Sequence, residues 1–176
     1  TKGTADIFID LSTIAKGYGV DVVAEYLKSQ GIQHFLVEIG GELRVAGRKA
    51  SGDSWRVAIE KPSASERGLQ QIISVGDNAI ATAGDYRNFF VNDGQRFSHL
   101  LDPTTGYPIR HFTASVTVVD SSSMTADGLA TAFMIMAPDD AKRIARENNI
   151  PLYLIERVDD KLSVYYNDAF AQFLQK

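Results

Sequence analysis

The 176-residue chain contains no cysteine. That excludes a disulfide, a thiol nucleophile and a Cys-bound zinc or iron–sulfur cluster, and it leaves the compartment open. The chain also lacks a hydrophobic run of membrane-spanning length. Its longest apolar stretch, around Ala130 to Ala137, is far too short to cross a bilayer. Basic charge is not in excess: 18 Lys and Arg face 22 Asp and Glu, a formal charge of −4. This excludes a general nucleic-acid binder, which needs a basic face, but not a small anionic ligand held by a metal. A Walker A sequence and a G-x-G-x-x-G fingerprint are both absent. No signal peptide is visible, and the chain opens on Thr1 rather than Met, so we expect a segment to precede it in the parent protein.

What is present is an ordinary globular composition, 44% hydrophobic and 23% charged. The length suits one domain with a sizeable core and no need of covalent staples. Ala5 to Asp10 reads as a short strand. Ile14 to Gln30 follows a helical period, with Ile14, Tyr18, Val22 and Leu27 on one face and Ala15, Val23 and Tyr26 beside it. Leu11-Ser12-Thr13 offers hydroxyls at the helix start, and Gly31 is a natural stop. Strands are expected over Gln33 to Ile39, Leu43 to Ala46, Ser54 to Glu60, Leu69 to Val75, Ala79 to Thr82, Tyr86 to Val91, Gln95 to Leu101 and Thr113 to Val119. Asn92-Asp93-Gly94 is a hairpin signal among them. Lys61 to Arg67 and Asp102 to Tyr107 read as loops. Helices are expected over Ala126 to Met136 and from Pro138 to Asn149. A terminal hairpin, Leu152 to Glu156 with Leu162 to Tyr166, precedes a short helix at Asp168 to Leu174. No repeat or interdomain linker is visible. The expected class is α+β, a single domain with a mostly antiparallel β-sheet and flanking helices.

Four segments carry more polar residues and glycines than packing asks for. In Asp10-Leu11-Ser12-Thr13-Ile14-Ala15-Lys16-Gly17, a strand ends on a carboxylate and a Lys enters the first helical turn. Helix N-termini attract anions, and a Lys there adds charge toward a phosphate. The bland alternative is a helix cap with a solvated Lys. In Val37-Glu38-Ile39-Gly40-Gly41-Glu42, paired glycines permit a sharp bend or a close approach to a ligand, or else a β-bulge. The third segment pairs Ala81 to Arg87 with Ser98 to Gly106. His99 stands there beside a turn rich in Asp, Thr and Gly, as an acid or base near neutral pH or as a structural partner of a loop carbonyl. His34 and His111 have no comparable surroundings and read as structural. In the fourth, Asp127 and Thr131 are one helical turn apart, so a carboxylate and a hydroxyl share a face. Such oxygens suit a hard cation such as Mg²⁺; the alternative is an Asp that offsets the helix dipole. Together a Lys, a His and two oxygen ligands suit phosphoryl or nucleotidyl chemistry.

Taken in order, these segments resemble the ApbE family of FAD:protein FMN transferases. The resemblance covers nearly the whole chain. It rests on DLSTIAKGYGVD at Asp10–Asp21, VEIGGE at Val37–Glu42, ATAGDYRNFF at Ala81–Phe90, SHLLDPTTGYP at Ser98–Pro108 and ADGLATAF at Ala126–Phe133. Many relatives carry Gly-Gly or Gly-Ala where this chain has Ser12-Thr13.

The resemblance implies Mg²⁺-dependent attack by a Thr or Ser hydroxyl of a partner protein on the FMN-side phosphorus of FAD, with release of AMP. It implies Asp127 and Thr131 as side-chain ligands of Mg²⁺ and Thr13 as a ligand through its carbonyl. Asp10 and Lys16 match FAD-contacting positions, and Leu101 matches a position at the flavin. His99 is the candidate general base for the acceptor hydroxyl, and Asp127 counts with it among the catalytic candidates. The implied partners are flavoprotein subunits of membrane redox pumps. The implied setting is the periplasm, with a lipid anchor outside this chain. Family members are about twice as long, so residues 1–176 correspond to the catalytic, metal-binding portion, without the N-terminal half that contacts flavin. The chain alone is therefore expected to bind FAD weakly or not at all. Two other readings use the same residues: an FAD pyrophosphatase releasing FMN and AMP, and a non-catalytic flavin-binding module. A purely structural domain would show no metal-dependent nucleotide binding.

Overall fold

The computed structural model of the chain describes Gly3 and residues 10–63, 68–84, 89–92, 95–98, 100–109, 112–159 and 161–175. The elements run α1 (Ser12–Ser29), β1 (Phe35–Ile39), β2 (Glu42–Ala46), β3 (Val57–Glu60), β4 (Leu69–Ile73), β5 (Ala79–Gly84), β6 (Phe89–Asn92) and β7 (Gln95–Ser98). They continue with β8 (Thr113–Asp120), α2 (Ser123–Ile135), α3 (Pro138–Glu147), β9 (Leu152–Val158), β10 (Lys161–Tyr166) and α4 (Asp168–Ala171). Six strands form one sheet in the order β1-β2-β5-β8-β9-β10, and each neighbouring pair is antiparallel. The pairs β3–β4 and β6–β7 form two small sheets of their own.

The period-two alternation of strands explains the layering. Val116 and Val118 of β8, Leu152 and Leu154 of β9 and Ala81 of β5 face the helices. There they meet Ala130, Phe133 and Met134 of α2 and Ala141 and Ala145 of α3. The intervening Val119, Tyr153, Ile155 and Ile80 face the other way, onto Ile59 of β3, Ile73 of β4 and Phe170 of α4. β8 and the first half of β9 are thus covered on both faces, which is why they read as almost unbroken β-branched and apolar runs. Full burial of side chains such as Phe133, Phe170 and Leu152 stabilises by roughly 1.5–3 kcal/mol each.

α1 departs from the expected helix at both its start and its buried face. It begins at Ser12, and no hydroxyl caps it. The Ser12 N–H donates to Oδ1 of Asp10 at 2.8 Å instead. Its buried residues are Gly17, Val20 and Ala24, while Tyr18 and Val22 are exposed. Apolar residues are spread around the helix and interleaved with Lys16, Asp21, Glu25 and Lys28, so periodicity could not select a face. Small residues select it, because α2 passes so close that a Cβ on Gly17 would lie 2.3 Å from the carbonyl oxygen of Ser123. Val20 and Ala24 then pack on Phe35, Val37 and Ala46 of the β1–β2 hairpin.

Other boundaries move by a few residues. Gly40 and Gly41, with φ of 63° and 108°, form the two-residue hairpin turn between Ile39 and Glu42 rather than a bulge. β3 starts at Val57, since Ser54 bridges to Arg48. β6 and β7 pair from Asn92 and Gln95 outward, as the Asn-Asp-Gly signal predicts. The expected strand before Asp10 lies almost entirely outside the described residues, as do His99 and His111. His34 has a structural role: its Nδ1 accepts from the Arg48 N–H at 3.0 Å. Among the described residues no helix is long and apolar enough to cross a membrane.

Candidate functional site

A cavity of about 660 Å³ opens where α1, α2, the β1–β2 hairpin, β3 and β5 converge. Its size falls within the range of small-molecule sites. α1 supplies Lys16, the hairpin supplies Glu38, Gly40, Gly41 and Glu42, and α2 supplies Asp127 and Thr131. Arg56 and Glu60 come from the β3 side, and Thr82 from β5. Thr82 is held by its hydroxyl, 2.8 Å from that of Thr117 on β8.

Two adjacent residues of α1 organise the polar wall. The backbone N–H of Gly17 donates to Oδ2 of Asp127 at 3.0 Å. The ammonium of Lys16 pairs with Oε1 of Glu42 at 2.6 Å. Both carboxylates are buried, Asp127 to 5% exposure and Glu42 to 2%. Burial pushes the Asp127 carboxyl above the ordinary carboxylate range, opposed by the Gly17 N–H and the Lys16 charge. Burial raises Glu42 as well. Lys16 opposes that shift by hydrogen bond and charge, and the Asp127 charge adds to it.

The start of α2 is fixed from α1. Asp21 accepts from the Ser122 hydroxyl at 2.7 Å and from the Ser123 and Met124 N–H groups at 3.0 Å each. Arg44 of β2 completes the cluster, 2.9 Å from Asp21 and 2.9 Å from Glu25. Burial works against the Asp21 charge, but these hydrogen bonds and the Arg44 guanidinium outweigh it and hold the carboxyl below its usual range. Ser122 also caps α2, accepting from the Thr125 N–H at 3.2 Å. This registers Asp127 and Thr131 against α1.

The donor set fits a hard cation. Among the described residues there is no cluster of three or more His, Asp or Glu that could hold a metal. An ion here would have Asp127 as its one charged ligand and the Thr131 hydroxyl as a neutral one, leaving coordination positions for phosphate oxygens and water. The cavity wall sets two cationic side chains, Lys16 and Arg56, against the carboxylates of Glu38, Glu42, Glu60 and Asp127. A polyphosphate entering so acidic a cavity needs a cation to accompany it.

Of the residues singled out in the sequence, Lys16, Asp127 and Thr131 come together on the cavity wall. Lys16 is the fifth residue of α1 rather than part of its first turn, because the helix starts earlier. Thr13 is half-buried in the first turn of α1 and Asp10 is exposed just before it; neither is among the cavity-lining residues. Leu101 is 54% exposed and bridges to Pro108, while its neighbour Leu100 lines the cavity. His99 lies outside the described residues. Glu42, Asp21 and Arg56 have no role that is legible in the sequence. The first two stood inside quoted motifs, and only their cross-chain partners reveal what they do.

The ApbE family profile matches residues 1–154. The chain is 53% identical over 176 residues to the FAD:protein FMN transferase of Vibrio cholerae, covering 100% of this chain and 53% of that protein. It is 43% identical over 176 residues to the FAD:protein FMN transferase of Haemophilus influenzae, covering 99% and 51%. Its fold matches the flavin transferase ApbE from Vibrio cholerae with a TM-score of 0.88 at 52% identity, over 99% of this chain and 55% of that one. It matches the ApbE protein of Thermotoga maritima with a TM-score of 0.82 at 33% identity, over 96% and 54%. The chain spans about half the length of the curated relatives it matches.

Proposed function

The chain belongs to the ApbE family, and from that membership we propose that the full-length protein transfers FMN from FAD to a Thr or Ser hydroxyl of a target redox protein. The observation that carries the reading is the acidic cavity that brings Lys16, Asp127 and Thr131 together on two packed helices. The acceptor oxygen attacks the FMN-side phosphorus, the P–O bond to the AMP phosphate breaks, and FMN is left on the acceptor as a phosphoester. AMP leaves with the electron pair of the broken bond.

Mg²⁺, held by Asp127 and Thr131 with the Thr13 carbonyl, would offset charge on the pyrophosphate and on the leaving phosphate. Lys16 supplies a second positive charge at the cavity wall and donates to phosphate oxygens. Gly17 aims the Asp127 carboxylate through its N–H. The β1–β2 turn brings Gly40 and Gly41 to the cavity with no side chain to block a ligand. Asp10 and Leu101 complete the FAD contacts. His99 takes the acceptor's proton, since a Thr hydroxyl is a poor nucleophile until a neighbour accepts it. Its sequence neighbour Leu100, a cavity-lining residue, supports that assignment. The proposal extends to acceptor subunits of membrane redox pumps and to a periplasmic setting with a lipid anchor outside this chain.

The test uses the full-length protein with FAD, Mg²⁺ and a pump subunit carrying an acceptor Thr. Flavin fluorescence on the acceptor band of a denaturing gel, lost on adding EDTA, is the expected result. A dark acceptor band with free FMN and AMP in solution, across several acceptors, would replace transfer by hydrolysis.

A further inference from the structure

Glu42 has no part in the transfer just described, yet its side chain is only 3% exposed where that of its partner Lys16 is 46% exposed. We propose that Glu42 is a positioning residue for Lys16, holding the ammonium at the cavity wall so that its remaining N–H donors meet the incoming pyrophosphate. The proposal rests on reading the cavity as the FAD site.

Three observations carry it. The first is the contrast in freedom. A lysine on a four-carbon stem is mobile unless something fixes its end. Here Glu42 is locked by burial, and the 2.6 Å contact transmits that order to Lys16. The second is the path of the stem. Gly40, with φ of 63°, leaves space beside it, and a Cβ there would stand 3.2 Å from Cδ of Lys16. A bare turn and a buried carboxylate thus define where the chain of Lys16 runs. The third is that the pair is a poor device for stability alone. Oε2 of Glu42 is buried with no hydrogen-bond partner among the described residues. A buried carboxylate satisfied on one side is weak evidence for stabilisation. Its use is the direction it gives to Lys16, the one lysine on this wall among the described residues. Glu42 engages one donor of the ammonium, and a phosphate oxygen brought in with a cation takes another without displacing it.

The test compares Glu42→Gln, Lys16→Ala, the double variant and Glu42→Asp in the full-length protein. The first readout needs no flavin: the rate at which acetic anhydride modifies Lys16, followed by peptide mass spectrometry. Glu42→Gln is expected to raise that rate several-fold, with Glu42→Asp in between. An unchanged rate overturns the proposal whatever reaction the protein catalyses. The second readout is the split between KM for FAD and kcat. If Lys16 without Glu42 is in place about a tenth of the time, KM rises about tenfold in Glu42→Gln, with a smaller change in kcat. The double variant should then be no worse than Lys16→Ala. Additive losses overturn the proposal by showing that Glu42 acts apart from Lys16, and tighter FAD binding in Glu42→Gln overturns it by making Glu42 a competitor. Thermal melts report folding, and if Glu42→Gln does not fold, Glu42→Asp carries both readouts. A wild-type protein that does not bind FAD sinks the transferase reading, while the labelling rate still decides whether Glu42 holds Lys16.

Discussion

Asp127 carries its charge in a place that opposes it, and its energetics follow from that. Its carboxyl is raised, so the folded chain binds more protons than the unfolded one, and stability falls as the pH climbs through the raised range. Asp127→Asn keeps an oxygen for the Gly17 N–H and removes the charge. Without metal, at about pH 8, it should melt at or above wild type. It should also lose any rise in Tm on adding Mg²⁺. Differential scanning fluorimetry measures both, and an undiminished Mg²⁺ response would remove Asp127 from the cation site. Gly17 sets helix propensity against packing. Alanine gains about 1 kcal/mol as a helix former. Its Cβ would lie 2.3 Å from the Ser123 carbonyl oxygen, a backbone atom that cannot swing aside. Overpacking of that kind costs about 1–3 kcal/mol, and the helices must part to relieve it. Gly17→Ala should therefore be less stable in urea titrations and bind the cation more weakly, because the Gly17 N–H withdraws from Asp127.

At the scale of elements, α2 is placed by another helix. Asp21 reaches from α1 to the first turn of α2 and satisfies two of its free N–H groups. It also binds the Ser122 hydroxyl and Arg44. Asp21→Ala should destabilise the protein by about 2–4 kcal/mol, the loss of several charge-assisted hydrogen bonds at a partly buried site. Asp21→Asn should cost less, and chemical denaturation ranks the two. The pH dependence has the opposite sign to that of Asp127. The Asp21 carboxyl is held low, so its contribution is present above the ordinary aspartate range and is lost as the pH falls through the depressed value. Asp21→Asn should flatten the acid limb of the stability curve below about pH 4. The existence and type of these helices are legible in the sequence, and so is the stop at Gly31. Which group caps α1, and which of its faces is buried, are not. Asp10 outcompetes the hydroxyls locally, and a helix whose apolar residues are spread over all its sides leaves the choice of face to its neighbours.

For the molecule as a whole, the cavity is the joint between layers. Its walls come from the first helix, the first hairpin, β3, β5 and α2, which together reach from Lys16 to Thr131 in the chain. A ligand bound there ties them together and stabilises the fold by mass action, about 2.7 kcal/mol at one hundred times its Kd. In the full-length protein FAD with Mg²⁺ should raise Tm more than either alone. The Mg²⁺ component should grow as the pH rises out of the carboxylate range, since a buried carboxylate must ionise to hold the ion. Melting curves at acidic and mildly alkaline pH check this, and a pH-independent Mg²⁺ shift would place the ion elsewhere.

Local chemistry and periodicity are enough for the α+β class, the antiparallel pairing and most element positions, while the family resemblance rests on five motifs in order. Strand alternation, turn glycines and helix periods are short-range properties that a linear reading captures. The shared face of Asp127 and Thr131 was legible for the same reason: both sit on one helix, one turn apart. The partners of Asp127, Lys16 and Asp21 were not. Gly17 and Asp127 are separated by 110 positions, and Asp21 and Ser123 by 102. No local pattern specifies which of many polar residues meet across such distances. Packing decides it: the small residues of α1 admit α2 at close range, and that approach turns two quoted motifs into one site.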